Sequence, residues 1–462
     1  MFIGRKEELK ELRRKFDSDH FEVILVSGKR RIGKSQLIVE SLSGFEGNVI
    51  SYECFKSTYH DNLENIEKEV KKRYNDYLHF ASLYDLILFL HESASDTKTV
   101  LVIDEYPYMR DGDTTDSEIK NAIDRINESP RQNPLKIVLC GSAIDVMNIL
   151  DNQDKPLYGR FTSKITLKEL NYLESSAFYS SASNEDKIGY YSVLGGVPYY
   201  LKQIDEKRPF EENIIHLFFS SNPLLQTELE SQINNEISKL DNAPFIMGII
   251  KDKTLSYTDI LQVFRASYPE KSIDYLLDKL MEIEAIEKCS IKQDNGKQKP
   301  YYRIRSASLR FYYSFLHRQF ANRLLFGEED YYDTFIKIDL LHSFIPHAFE
   351  RIGMEFIALM NRKGLLPNRL LDLYPYVIND KASKHNYEFD IVGECAEGLI
   401  NYECKYQDSP IDASKVYKEI RQAELSDEAF IKTVFISKSP VLDHGNKIET
   451  YTLSDLFSDT LR

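Results

Sequence analysis

Eight residues near the amino end, Gly28-Lys29-Arg30-Arg31-Ile32-Gly33-Lys34-Ser35, follow the spacing G-x-x-x-x-G-K-[ST]. The spacing suits a nucleoside triphosphate: the glycines let backbone N–H groups turn onto phosphate oxygens, Lys34 reaches the β- and γ-phosphates, and Ser35 holds Mg²⁺. Gln36 follows as the first residue of the next helical pattern, and ATP with Mg²⁺ is the expected cofactor pair. Downstream, Val100-Leu101-Val102-Ile103-Asp104-Glu105 is an apolar run ending in two acids. Asp104 suits Mg²⁺, directly or through water, and Glu105 suits orienting or deprotonating the attacking water. Such an ending is commonplace alone and gains meaning from the phosphate loop upstream. A third run, 136–140, ends in Gly141-Ser142; Ser142 either meets the γ-phosphate or attacking water, or simply closes a strand. Arg160 is either a stabiliser of transition-state charge or a solvated surface residue.

A second constellation lies in residues 388–406. With a turn at Cys395-Ala396-Glu397-Gly398, the pairing register sets Asp390 opposite Glu403 and Glu388 opposite Lys405. Phe389, Ile391, Ile400, Tyr402 and Cys404 then share a buried face, and Glu388, Asp390, Glu403 and Lys405 share the other. Opposed like charges call for a cation or a proton. Two carboxylates so placed can chelate Mg²⁺, while the lysine positions or deprotonates a water for attack on a phosphodiester. The plainer alternative is a solvated charged face in which Lys405 neutralises Glu403 or Glu388. His342 and His347, on an otherwise apolar helical stretch without nearby cysteines, read as packing or surface residues.

These residues need elements to hold them. Charged Lys6 to Phe16 reads as helix, 21–26 as strand and Gln36 to Ser41 as helix; with strands at 100–103 and 136–140 and crossover-length stretches between, the pattern is α/β with a parallel sheet covered on both faces. From about 165 to 235 the pattern is helical, interrupted by Gly195-Gly196-Val197-Pro198. Helical 255–264 and 273–283, then strands at 285–288 and 301–304 around Asp294-Asn295-Gly296, have the layout of a winged helix. Helical 341–362, the hairpin, a helix at 413–424 and a strand at 432–437 make a second α/β unit.

With 42% hydrophobic and 29% charged residues the chain is expected to fold nearly throughout. A net charge of −14 excludes coating nucleic acid by bulk electrostatics, so any DNA or RNA contact is local. No apolar run is long enough to cross a membrane, and five scattered cysteines support neither a disulfide framework nor a zinc site. A reducing cytoplasm is expected.

The run 2–9, the phosphate loop, VLVIDEYPYM (100–109), LCGSAIDVM (139–147), PLYGR (156–160) and GGVPYYL (195–201) resemble the archaeal-type AAA+ ATPases of the P-loop superfamily, many of which continue into a winged helix and the domain of unknown function DUF234. The segment 301–318 resembles that junction, although Ser306 stands where an acid is usual. The resemblance implies Gly4 and Arg5 near the adenine, Ser142 as sensor 1, Arg160 as an arginine acting in trans in an oligomer, and Pro198 near the base. The order Asp, then Glu-x-Lys, resembles the PD-(D/E)xK nuclease core, to which DUF234 is thought to belong; it adds Glu350 as the acid of the preceding helix, ahead of Glu355. The implied architecture is a P-loop ATPase core (1–165), a helical lid (166–238), a winged helix (239–318) and a restriction-endonuclease-like α/β domain (319–462). The expected activity is ATP hydrolysis coupled to nucleic acid, or a slow signalling switch whose terminal domains bind protein.

Overall fold

Runs of β-branched and aliphatic residues build the first sheet: β1 (Glu22–Gly28), β2 (Asn48–Glu53), β3 (Thr99–Asp104), β4 (Leu135–Gly141) and β5 (Ser163–Leu167). All pairings are parallel and the order is β2-β3-β4-β1-β5. Every residue of β1, β3 and β4 is buried, as strands covered on both faces must be. Alternation divides β1 between two cores. Val23 and Leu25 pack under helices Tyr59–Lys71, Leu83–Ser93 and Gly112–Asn127, while Ile24 and Val26 pack under Lys6–Asp17 and Lys34–Ser41. Parallel order brings the carboxyl ends of β1, β4 and β3 to one edge, where open α/β sheets take their ligands.

The computed structural model describes residues 2–461 except 75–76, 95–96, 130–133, 143, 294–295, 318–324, 381–384, 427 and 443–447. The expected Asp294-Asn295 turn and the boundary at 318 lie outside the described residues. The chain divides into two compact units, Met1–Glu169 and Leu170–Arg462.

The second unit opens with short helices, including Asn184–Leu194, and with Pro198 at the first position of a helix. A mixed sheet of eight strands follows: β6 (Leu255–Ser256), β7 (Ile286–Gln293), β8 (Gln298–Ile304), β9 (Leu370–Asp380), β10 (His385–Cys395), β11 (Gly398–Lys405), β12 (Phe430–Ser437) and β13 (Glu449–Thr452), in the order β13-β12-β11-β10-β9-β7-β8-β6. The β7–β8 ribbon follows helices Tyr257–Ser267 and Asp274–Glu282, as in a winged helix, and runs on into the terminal sheet through a parallel β7–β9 pairing. Lys292 fixes that seam: its ammonium donates to the Tyr374 hydroxyl (2.9 Å) and to Glu394 (3.1 Å) and lies 4.7 Å from the Tyr374 ring. The β7–β8 ribbon is therefore interior to a larger sheet.

Helix Ile345–Arg362 packs against β10 and β11. At Gly353 a Cβ would sit 2.7 Å from the Cys404 sulfur, so only glycine lets the helix come this close. One turn earlier, Glu350 is carried toward the same strands.

Candidate functional sites

The phosphate loop is shaped by backbone that only certain residues accept. A Cβ on Gly28 would lie 2.7 Å from the Leu167 carbonyl, and Gly33, with φ 94°, caps the helix Lys34–Ser41. Ile32 is buried in the core and anchors the loop from within. Lys34 is 6% exposed; its ammonium turns onto the carbonyls of Gly28 (3.0 Å) and Lys29 (3.1 Å), and burial lowers its pKa. Around it, Arg30 donates to the Tyr108 hydroxyl (2.5 Å), Lys29 lies 3.8 Å from Glu169, and Arg31, in the left-handed region, and Gln36 are exposed.

The structure joins this loop to the acids at the end of β3. The Ser35 hydroxyl donates to the Asp104 carboxylate at 2.5 Å, across 69 residues of sequence. Those two hard oxygen donors suit Mg²⁺. Glu105 adopts φ 50°, a costly conformation that aims its carboxylate along the sheet edge. There it accepts from the Ser142 hydroxyl (2.8 Å) and the Ser142 N–H (3.2 Å). The preceding Gly141 is obligatory, because a Cβ would strike the Pro107 ring at 2.6 Å. Tyr106 and Arg110 both bond the buried Asp116, which pins the segment after β3. Lys34, Ser35, Asp104, Glu105 and Ser142 thus converge at one edge.

Other expected residues sit apart from that group. Gly4 and Arg5 both have positive φ, and the buried Arg5 guanidinium donates to the Lys168 carbonyl and reaches Glu8 at 3.5 Å. Arg160 is held within its own chain by Asp124 (3.0 and 3.3 Å) and the Tyr158 carbonyl. Pro198 belongs to the second unit.

In the hairpin, Cys395 pairs with Gly398 and the ladder runs to Ile391–Tyr402, the register that the turn dictates. Two details correct the sequence reading. A bulge between Phe389 and Val392 moves Phe389 to the opposite side, among Tyr374, Tyr376, Val392 and Leu399. The β10–β11 ladder ends at Ile391–Tyr402, so neither Asp390 with Glu403 nor Glu388 with Lys405 is a ladder pair, and Glu388 is exposed and pairs with Val377 of β9. His342 and His347 are exposed.

The remaining acids meet. Glu403 is 4% exposed, with one oxygen bound to Lys405 and the other, Oε2, buried without a partner among the described residues. Asp390 accepts from the Cys404 N–H at 2.9 Å. Burial and the Glu403 charge push Glu350 up to about 7; burial and Glu350 push Asp390 up to about 7; burial and Asp390 push Glu403 up to about 8. Glu355 is engaged elsewhere, by the Tyr191 hydroxyl (2.9 Å) and the Tyr172 N–H (3.1 Å).

Sequence reading missed Glu419. It sits on helix Ala413–Ala423, 3.4 Å from Lys405, so the lysine lies between two carboxylates and its pKa rises. Glu403 and Glu419 thus favour the ammonium form of Lys405, the form that orients a water. The missed signal was legible as an acid among the apolar positions Val416, Ile420 and Ala423 of one helical stripe. Buried Asn401 lies two residues before Glu403 on β11, so it shares that strand's face, and neither side-chain polar atom has a partner among the described residues. Asp390 and Glu403 are hard oxygen donors fit for a divalent cation, although among the described residues no three His, Cys, Asp or Glu groups are gathered as a ready ligand set.

Residues 2–204 match a family described as an ATPase domain predominantly from Archaea, and residues 312–420 match DUF234, described as archaeal and bacterial proteins of unknown function. Residues 2–204 thus carry the signature of this ATPase domain, and residues 312–420 that of DUF234. An uncharacterized ATP-binding protein of Methanocaldococcus jannaschii is 45% identical over 42 residues, which are 9% of this chain and 71% of that protein. An uncharacterized protein of the same organism is 25% identical over 386 residues, 81% of each chain. Among solved structures, the chain is similar to the Walker-type ATPase of Pyrococcus abyssi (18% identity, 68% of this chain and 96% of that one, TM-score 0.47). It is also similar to the Aeropyrum pernix ORC2 protein in its ADPNP–ADP complexes (12% identity, 67% and 92%, TM-score 0.47). No helix among the described residues is long and apolar enough to cross a membrane.

Proposed function

We propose that the first unit binds and hydrolyses ATP with Mg²⁺, and that its nucleotide state governs what the second unit does to a nucleic acid. The observation that carries the first half is the Ser35–Asp104 contact, with Glu105 and Ser142 beside it. In this reading Gly28 to Ser35 wrap the phosphates and Lys34 leaves its two carbonyls for the β- and γ-oxygens. Ser35 and Asp104 hold Mg²⁺, which supplies neutralisation of the phosphate charge. Glu105 orients or deprotonates the attacking water, and Ser142 sets its direction, releasing it when nucleotide enters. Gly4, Arg5 and Gln36 frame the nucleotide, and Arg160 acts on transition-state charge once freed from Asp124. Phosphate release measured with Mg²⁺ and ATP tests this: the native chain turns over, and Lys34→Ala falls to background. Equal release by both proteins would reject it.

The second half rests on the meeting of Glu350, Asp390, Glu403 and Lys405 around a buried, unpartnered carboxylate oxygen. Such a site suits phosphodiester cleavage, with Asp390 and Glu403 as ligands for a divalent cation and Lys405 orienting the water. Incubating supercoiled plasmid and single-stranded DNA or RNA with Mg²⁺ or Mn²⁺ tests it. Nicking or shortening by the native chain and none by Glu403→Gln is expected; intact substrates with every metal would reject cleavage. The rival reading, a slow ATPase switch whose terminal domains bind protein, is favoured by the wing's incorporation into the sheet and by Asp274, Asp278 and Glu282 on the second winged-helix helix. Such a helix repels a phosphate backbone.

A further inference from the structure

Helix Ala413–Ala423 turns an aromatic and basic stripe outward. Its inner positions are fixed: Val416 packs with Ile411 and Phe435, and Ala423 packs with Tyr376, Phe389 and Leu399. The Asp412 side chain caps the first turn by accepting from the Lys415 N–H at 3.1 Å. Ser414, Tyr417, Lys418 and Arg421 recur at the three- and four-residue spacing of one helical face. Together with Leu425 just past the helix and Tyr387 of β10, they line a groove of about 540 Å³. Tyr387 is half-buried at the margin of the core that holds Ala423, whereas Tyr417 is 45% exposed. One ring is thus anchored to the sheet and the other offers its surface.

The charge of this groove runs against that of the chain. The whole sequence carries −14, yet the lining holds two cations and, among the described residues, no acid. Lys418 and Arg421 are exposed, and neither side chain has an ion pair or hydrogen bond among the described residues. The neighbouring acids are directed elsewhere: Glu419 lies 3.4 Å from Lys405, and Glu388 and Glu424 are exposed outside the lining. Tyrosine rings beside unpaired cations suit an unpaired nucleotide, whose base needs a flat partner and whose phosphate needs a positive charge. A base inside a duplex is already stacked on both faces, so the rings favour a single strand. Position adds to chemistry. Tyr387 precedes Asp390 by three residues, about 10 Å along the strand, and Lys418 adjoins Glu419, so both walls of the groove belong to elements that carry the acid cluster.

We infer that the groove between Tyr387 and helix Ala413–Ala423 binds single-stranded nucleic acid, with bases against Tyr417 and Tyr387 and phosphates held by Lys418 and Arg421. This deepens the nucleic-acid reading by naming its substrate class, and it rests on that reading without requiring cleavage at the acid cluster.

The test follows the fluorescence anisotropy of a labelled short oligothymidylate or oligouridylate as the full chain is added, with EDTA present so that binding is scored apart from cleavage. Saturable binding of either probe is expected. Tyr417→Ala should weaken it about tenfold, and Tyr417→Phe, which keeps the ring, should bind as the native chain does. Lys418→Gln with Arg421→Gln should lower the slope of log affinity against log salt by about 1.4, the counterion release of two phosphates. These side chains are exposed, so the variants are expected to fold. No binding of either probe, or binding that Tyr417→Ala and the double variant leave undiminished, overturns the proposal. Competition by polyglutamate as strong as by unlabelled oligonucleotide also overturns it, because the groove would then take an acidic protein. Binding by the groove with substrates left intact by every metal supports the groove and removes cleavage alone. Metal-dependent nicking with unaltered binding in the groove variants does the reverse.

Discussion

Two groups of carboxylates in this chain face opposite electrostatic circumstances. At the end of β3, Asp104 and Glu105 each accept from a serine hydroxyl, Ser35 and Ser142, and the buried Lys34 ammonium donates to the Gly28 and Lys29 carbonyls with both acids acting on its charge. In the second unit Glu350, Asp390, Glu403 and Glu419 crowd around Lys405, and three of them are driven toward neutral protonation. The first group is satisfied by hydroxyl donors of its own chain. The second stores repulsion that protons or a divalent cation relieve. Readiness for ligand is thus written in hydroxyl partners in one place and in shifted protonation in the other.

That contrast can be broken most directly at Glu105. Glu105→Gln keeps the Ser142 contact and the loop intact, so ATP binding should persist while turnover drops about 10³-fold, the scale of a lost general base. Single-turnover hydrolysis beside calorimetric ATP binding checks it; a change below tenfold would move catalysis away from this residue. Lys405→Met should act on stability instead, because it leaves Glu403 buried among acids without a cation. A loss of about 3 kcal/mol is expected, the lower end for removing one partner of a buried pair because Lys405 is partly exposed, read from urea midpoints near pH 8. An unchanged midpoint would mean the acids are already protonated throughout.

The smallest effect is on pH. Glu350, Asp390 and Glu403 have folded pKa values of about 7, 7 and 8, above the ordinary value of about 4 for an unfolded carboxyl. Between those limits the folded state holds protons that the unfolded chain has released. Their stabilising contribution is complete below about pH 4 and is lost as pH rises through 7 to 8. The thermal stability of the second unit should therefore fall across that window, Mn²⁺ at pH 8 should restore it, and Glu403→Gln should flatten the slope. A flat native profile would show the acids are better compensated than their burial implies.

Much of the first unit was legible from local pattern. The apolar runs at 21–26, 100–103 and 136–140 became β1, β3 and β4, because a strand buried on both faces must be continuously apolar. β2, β5, β6, β9 and β13 escaped notice, with Leu255 and Ser256 reading as helix: Asn48–Glu53 and Ser163–Leu167 carry polar residues at exposed or half-exposed edge positions, which blurs the period. The hairpin register was readable from its turn, yet the bulge that relocates Phe389 depends on how β10 meets β9, thirteen or more residues away in sequence.

By itself the sequence determined the phosphate cradle, since a loop of eight residues fixes its own backbone through its glycines and through the strand and helix on either side. Tertiary structure alone decided which charges share surroundings of low dielectric: that Glu419 joins Lys405, and that Glu355 is taken up by Tyr191 and Tyr172. Desolvation and Coulomb energies are sums over neighbours from distant segments, and spacing along one chain does not carry them.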